Sequence, residues 1–272
     1  MISFPNCKIN IGLNILSKRK DGYHDLQTIF YPIAIKDALE IIETDESAKN
    51  ITFSNSGIKI NGAKEDNLCM KAFQLLKKDF PALPSIKMHL HKTIPMGAGL
   101  GGGSADGAFA LQLINKKFSL RLSQEQLIQY ALQLGSDCPF FICNKPSYAT
   151  GRGEILEPLQ LDLSAYSILI VNPDIHINTA VSFSTIKVGE HKTNLKELIA
   201  IPITEWKNSI INDFENNVFS SVPEIAAIKN NLYANGAMYA SMSGSGSSVY
   251  GIFPKNYNTS LHFPPHYFYR WV

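Results

Sequence analysis

Between Pro95 and Ser104 the chain reads PMGAGLGGGS, with glycine at five of the seven positions 97–103. Each glycine costs conformational entropy on folding, so such a run implies a task for the backbone itself. Three tasks suit it: a flexible linker, a dinucleotide-binding turn, or a loop wrapped around phosphate. In the last case the missing side chains let main-chain N–H groups and a helix N-terminus approach an anion. Lys8 and Asn10 stand two apart on one face of an alternating segment. They suit a solvated edge strand, or two polar groups reaching one site. Asp137, in LGSDCP, suits the N-cap of a short helix with proline in its first turn. His89 and His91 share a strand face, but no third ligand stands at a recognisable spacing, so no metal centre is expected there.

The elements around these residues decide between the alternatives. Cys7, Ile9, Ile11, Leu13 and Ile15 alternate with polar residues, and the turn KRKDG separates them from a second strand-like run, Leu26 to Ile33, so a hairpin is expected. Shorter strands are expected at 39–43, 51–53 and 58–60. Helical spacing runs from Asn67 to Phe80 and stops at Pro81; a strand follows at 86–92, then the glycine run, then an apolar helix over 104–115. Ser123 and Gln126 form a capping-box pattern for a helix reaching Leu134, with Gly135 as its stop. A run joining a strand directly to an apolar helix is no linker, because linkers are polar and lie between domain ends. Gly97-x-Gly99-x-x-Gly102 meets the dinucleotide pattern, yet no second strand ends in an acidic residue about 20 positions on. No Gly-Lys-Ser/Thr closes a Walker loop either. A phosphate-cradling turn remains. Farther on, a buried strand is expected at 166–171, a helix-leaning region at 194–235, and strands at 237–241 and 249–253 joined by SGSGS. The composition shift near 153–165 marks a domain boundary.

At 272 residues, 45% hydrophobic and 18% charged, the chain has room for one large domain or two modest ones. A net charge of +2 with no basic stripe argues against a nucleic-acid partner. The one basic cluster, Lys18-Arg19-Lys20, reads as a solvated hairpin tip. Four cysteines without a Cys-x-x-Cys pair, no signal-peptide pattern, and no run of about 18 apolar residues point to a reduced, cytoplasmic protein without a membrane span.

The segment PMGAGLGGGSADGAFAL resembles the central motif of the GHMP kinase superfamily. NCKINIGLNILSKRKDGYHDLQTIF resembles the opening of its 4-diphosphocytidyl-2-C-methyl-D-erythritol kinase family, with the Lys-x-Asn strand and the Asp-Gly-Tyr-His turn. SMSGSGSSVYGIF resembles the superfamily's third motif, and the match spans most of residues 5–253. The resemblance implies an α+β, two-domain GHMP kinase fold. Its ribosomal-S5-domain-2-like N-terminal lobe would occupy 1–155 and its ferredoxin-like C-terminal lobe 156–272. It also implies phosphoryl transfer from ATP, with Mg2+, to a small molecule carrying a cytidine diphosphate group, in the non-mevalonate route to isoprenoids, by a monomer or weak homodimer.

By the same resemblance Lys8 and Asp137 are the catalytic pair. Pro95, Met96, Gly97, Ala98, Gly99, Leu100, Gly101, Gly102, Gly103, Ser104 and Ala105 cradle ATP, with Asn67 and Lys92 near its adenosine. Asn10, Tyr23, His24 and Phe183 bind the acceptor, whose base would lie between Tyr23 and Phe183. No protein ligand for Mg2+ is identified; Ser104 is a phosphate or metal-shell contact. One departure stands out. The family has a helix before its last strand, where this chain has a short, proline-broken stretch from Pro254 to Pro265, so a trimmed C-terminal edge is expected.

Overall fold

The computed structural model describes residues 1–45, 50–60, 62–186, 188, 191, 193–255, 257 and 261–272. The strands are β1 (Ile2–Ser3), β2 (Asn6–Lys18), β3 (His24–Lys36), β4 (Ala38–Glu43), β5 (Ile51–Gly57), β6 (Ile86–Lys92), β7 (Ser147–Thr150), β8 (Ile155–Pro158), β9 (Tyr166–Asn172), β10 (Tyr239–Met242), β11 (Val249–Pro254) and β12 (Phe268–Trp271). The helices are α1 (Leu68–Asp79), α2 (Gly102–Lys117), α3 (Gln124–Leu134), α4 (Cys138–Cys143), α5 (Thr179–Thr185), α6 (Leu195–Leu198), α7 (Trp206–Ser209), α8 (Phe214–Ser221) and α9 (Pro223–Ala234). None of the described helices is long and apolar enough to cross a membrane.

By compactness the chain forms two units. Met1–Cys7, Ala34–Met96 and Gly101–Asn144 make the first; Lys8–Ile33, Gly97–Leu100 and Lys145–Val272 make the second. A single cut near 155 follows chain order, whereas this division is discontinuous. The β2–β3 hairpin shares a sheet with β7 and β8, in the order β2-β3-β7-β8, and strands group with the partners that satisfy their backbone bonds.

In the first unit the sheet order is β1-β4-β6-β5, parallel only between β5 and β6. Ile86, Met88 and Leu90 of β6 are buried, as are Ala72, Phe73 and Leu76 of α1, as their two spacings require. The strand expected at 58–60 is absent because β5 ends at Gly57. That residue has φ +77°, a side-chain carbon on it would lie 2.2 Å from the Lys92 carbonyl oxygen, and the Ile58 N–H donates to the same oxygen at 2.8 Å. The capping box forms as expected: Ser123 N–H donates to Gln126 Oε1 at 2.8 Å, and Gln126 N–H to Ser123 Oγ at 3.3 Å.

The second unit adds the antiparallel sheet β10-β11-β9-β12. Leu169, Val171, Phe214, Ile225, Leu232, Val249 and Phe253 form its core. The last strand is present, β12 pairing with β9 from Phe268↔Asn172 to Trp271↔Leu169. Among the described residues no helix lies between β11 and β12; Tyr257 there packs its ring on Phe253 and Trp271, with centroids 4.4 and 5.5 Å away.

Candidate active site

On β2 the apolar alternates are buried, but so are Lys8 and Asn10, at 3% and 2% exposure. The solvated-edge alternative therefore fails. A buried ammonium needs acceptors, and Lys8 Nζ donates to Asn10 Oδ1 and, at 2.9 Å, to the Gly99 carbonyl. It also stands 5.1 Å from the centroid of Phe30. Asn10 is fixed in turn: its amide donates to Thr28 Oγ1 at 2.9 Å, whose hydroxyl donates to the Gly12 carbonyl. The Lys8 N–H donates to the Leu100 carbonyl at 3.0 Å.

The third motif closes on the same turn. Ser243 Oγ donates to the Gly99 carbonyl at 2.8 Å and accepts from the Asn10 N–H at 3.1 Å, while the Ser248 N–H donates to the Ala98 carbonyl at 3.1 Å. A side-chain carbon on Gly99 would lie 1.9 Å from the Ser243 carbonyl oxygen, so only glycine fits this crossing. Within the second unit the Lys-x-Asn strand, the front of the glycine turn and the third motif are thus one bonded cluster. Thr28 and Ser243 were not singled out by the sequence. Ser243 carried a signal, since it opens the SGSGS turn; Thr28 carried none.

The acceptor residues lie in the same unit. His24 is buried, and Phe183 stacks on it at 5.4 Å between centroids and meets Phe214 edge to face at 4.8 Å. Tyr23 is exposed, with the Arg152 guanidinium 4.8 Å from its ring centroid. Arg152 is itself tethered, its N–H and Nε both donating to the Glu154 carboxylate. Nothing in the local pattern points to Arg152 beyond a glycine on either side.

In the first unit α2 starts at Gly102, two residues earlier than expected, because Gly101 takes the left-handed conformation (φ +68°) at the N-cap. No side chain caps this helix, so backbone alone presents its first N–H groups. Burial, opposed by the Ser104 hydroxyl, pushes the Cys138 thiol up to about 12. Asp137, next to it, stands at the N-cap of α4 with Pro139 in the first turn, as its spacing suggests, yet its side chain makes no capping bond. Asn67 caps α1, its side-chain oxygen accepting from the Cys69 N–H at 2.9 Å. Lys92 is 1% exposed, and its ammonium donates to the carboxylates of Asp37 and Asp106.

Among the described residues no group of three or more His, Cys, Asp and Glu side chains could hold a metal ion. His89 and His91 instead share a ladder with Ser54 and Ser56, with contacts of 2.8–2.9 Å.

Comparison with known proteins agrees with these motifs. The family model for the GHMP kinases N-terminal domain matches residues 67–145, and that for the GHMP kinases C-terminal domain residues 193–258. A 4-diphosphocytidyl-2-C-methyl-D-erythritol kinase of Bacteroides fragilis is 51% identical over 264 residues, covering 97% of this chain and 96% of its own. The enzyme of the same name from Azobacteroides pseudotrichonymphae is 51% identical, covering 96% and 99%. A crystal structure of 4-(cytidine 5'-diphospho)-2C-methyl-D-erythritol kinase superposes with a TM-score of 0.80 at 27% identity, covering 93% of this chain and 90% of that one. Methanococcus jannaschii mevalonate kinase, at 14% identity and a TM-score of 0.70, shares the fold. The α+β GHMP kinase fold expected from the motifs is the fold observed, and the chain belongs to the 4-diphosphocytidyl-2-C-methyl-D-erythritol kinase family of the GHMP kinases.

Proposed function

We propose that the chain transfers the γ-phosphoryl group of ATP to a hydroxyl of 4-diphosphocytidyl-2-C-methyl-D-erythritol, in the methylerythritol phosphate route to isoprenoid precursors. Kinship at 51% identity over 97% of the chain carries this reading. The bonded cluster of Lys8, Asn10, Gly99 and Ser243 supports it, since a kinase needs a fixed cation beside a phosphate-cradling turn.

Residues 95–105 offer main-chain N–H groups to the triphosphate, and Ser104 a hydroxyl. Asp137 accepts the proton of the acceptor hydroxyl, and Lys8, oriented by Asn10, stabilises the charge that develops. Mg2+ would arrive with ATP and offset the charge of its phosphates; no protein ligand is assigned to it. His24 and Phe183 form one wall for the cytosine and Tyr23 offers a second aromatic face. The Asn67 amide is a donor for the adenosine, whereas Lys92, enclosed by two carboxylates, acts from beneath the turn. The setting is cytoplasmic, and the enzyme a monomer or weak homodimer.

A coupled ADP-release assay with Mg-ATP tests the reading against 4-diphosphocytidyl-2-C-methyl-D-erythritol, homoserine and mevalonate. Turnover on the cytidyl substrate alone is expected. Turnover on either of the others instead would keep the superfamily and remove the cytidine pocket.

A further inference from the structure

Beneath the first turn of α2 lie three fully enclosed charged groups. Lys92, Asp37 and Asp106 are 1%, 1% and 3% exposed. Asp37, between β3 and β4, is satisfied: its Oδ1 accepts the N–H groups of Thr93 and Ile94, the latter at 2.9 Å, and its Oδ2 accepts from Lys92. Asp106, one turn along α2 from Gly102, accepts from Lys92 at 2.7 Å through Oδ2, while its Oδ1 is buried with no partner. A side-chain carbon on Gly102 would lie 3.0 Å from Lys92 Nζ and 2.8 Å from Ile94 Cγ2, so the helix start rests directly on the ammonium.

Two carboxylates share one cation, so the cluster carries a net negative charge when all three are ionised. That is an unfavourable setting for an anion-binding helix start. The orphaned Asp106 oxygen is where a proton relieves it, because an unpaired buried carboxylate oxygen disfavours the ionised form. The ionisable groups facing Asp106 are Lys92 on β6, Asp37, and the Cys69 thiol on α1. Burial holds that thiol well above its ordinary range, and so neutral. Burial likewise pushes Asp106 up to about 7, with Lys92 opposing and Asp37 assisting.

We propose that Asp106 is a proton-coupled positioning residue for the nucleotide: it holds Lys92 under Gly102 and takes up a proton when phosphate binds at the start of α2. The incoming charge repels the Asp106 carboxylate and favours its protonated form. The cluster then becomes neutral, and the turn presents a helix N-terminus without a buried negative charge behind it. Asp106 touches no substrate in this scheme. It acts through Lys92, and the inference rests on the nucleotide reading proposed for the glycine turn.

Calorimetric titration of the whole protein with Mg-ADP, in buffers of different ionisation enthalpy near pH 7, counts the protons taken up. The wild type is expected to take up a few tenths of a proton more than Asp106→Asn. The ratio of their affinities is expected to shift by roughly three- to tenfold between pH 6 and pH 8, the wild type losing ground as pH rises. Titration by the nucleotide itself is common to both proteins and cancels. Equal uptake with ADP bound would overturn the inference alone; no ADP binding by the wild type would overturn the nucleotide reading with it. Should Asp106→Asn not fold, carboxyl-carbon NMR of the wild type decides. An aspartate titrating near neutrality, with a midpoint raised by ADP, is expected, and its absence would sink the idea.

Discussion

Two buried lysines serve the glycine turn in different ways. In the second unit Lys8 donates to the Asn10 side-chain oxygen and the Gly99 carbonyl. In the first unit Lys92 donates to the carboxylates of Asp37 and Asp106. Asn10 and the Gly99 carbonyl orient the ammonium of Lys8, while Asp37 and Asp106 both orient and neutralise that of Lys92. On the proposed mechanism Lys8 serves the chemistry and Lys92 the architecture under the helix start. Substitutions at the two should therefore separate, one in turnover and the other in stability.

The largest effect is expected at the proposed proton acceptor and its cation. Asp137→Asn should lower turnover by roughly 10²–10⁴-fold with the fold intact, and Lys8→Met should fall in the same range. ADP-release kinetics beside thermal melts check both. A Lys8→Met protein that keeps its turnover but melts early would break the contrast.

Lys92→Met should do the reverse. Removing one partner from a buried ionic cluster costs about 3–5 kcal/mol, because the carboxylates left behind are uncompensated. The denaturant midpoint should fall accordingly. The double variant with Asp106→Asn should recover part of the loss, since it leaves one fewer buried charge.

How far the sequence reveals this contrast differs between the two clusters. The alternation of β2 is plain in the sequence, and the three motifs identify Lys8, Asn10 and the glycine turn. What alternation cannot show is that Lys8 and Asn10 are covered as well. The cover comes from Ser243 and Gly99, far along the chain, and burial by distant segments leaves no local period. Lys92 reads as an ordinary alternate of β6, and nothing near it points to Asp37, 55 positions away. Ile58–Ile60 has the composition of a strand, but Gly57 turns the chain first. Phe183 carries an aromatic signal, yet its partner is His24, a choice made by packing rather than by pattern.

The Asp106 carboxyl makes the architectural half of the contrast sensitive to pH. Its ordinary value is 3.8, and burial raises it to about 7 in the folded chain. Between those values the folded chain keeps a proton that the unfolded chain has lost, so the stability it contributes is present at low pH and disappears as pH rises through about 7. Asparagine does not titrate. From pH 4 to pH 8 the wild type should therefore lose stability relative to Asp106→Asn, by on the order of 2–4 kcal/mol. Urea midpoints of the two proteins across that range check it, and parallel curves would mean that Asp106 ionises as an ordinary carboxyl.

The smallest effect probes how Lys8 is held. Thr28 Oγ1 accepts from the Asn10 amide and donates to the Gly12 carbonyl, so Thr28→Val strands one donor and one acceptor in a buried place while preserving shape. The loss should be about 1–3 kcal/mol of stability. If the chain from Thr28 through Asn10 orients Lys8, turnover should also drop by about tenfold, equivalent to about 1.4 kcal/mol of barrier. With ATP saturating, that drop should appear in kcat, because orientation of the cation matters when charge develops on the transferring group. Asp106→Asn offers the matched control: its effect should fall on nucleotide affinity and its pH profile, with kcat at saturating ATP near wild type. A Thr28→Val enzyme that loses stability yet keeps full kcat would show that Asn10 keeps its orientation toward Lys8 without the Thr28 hydroxyl.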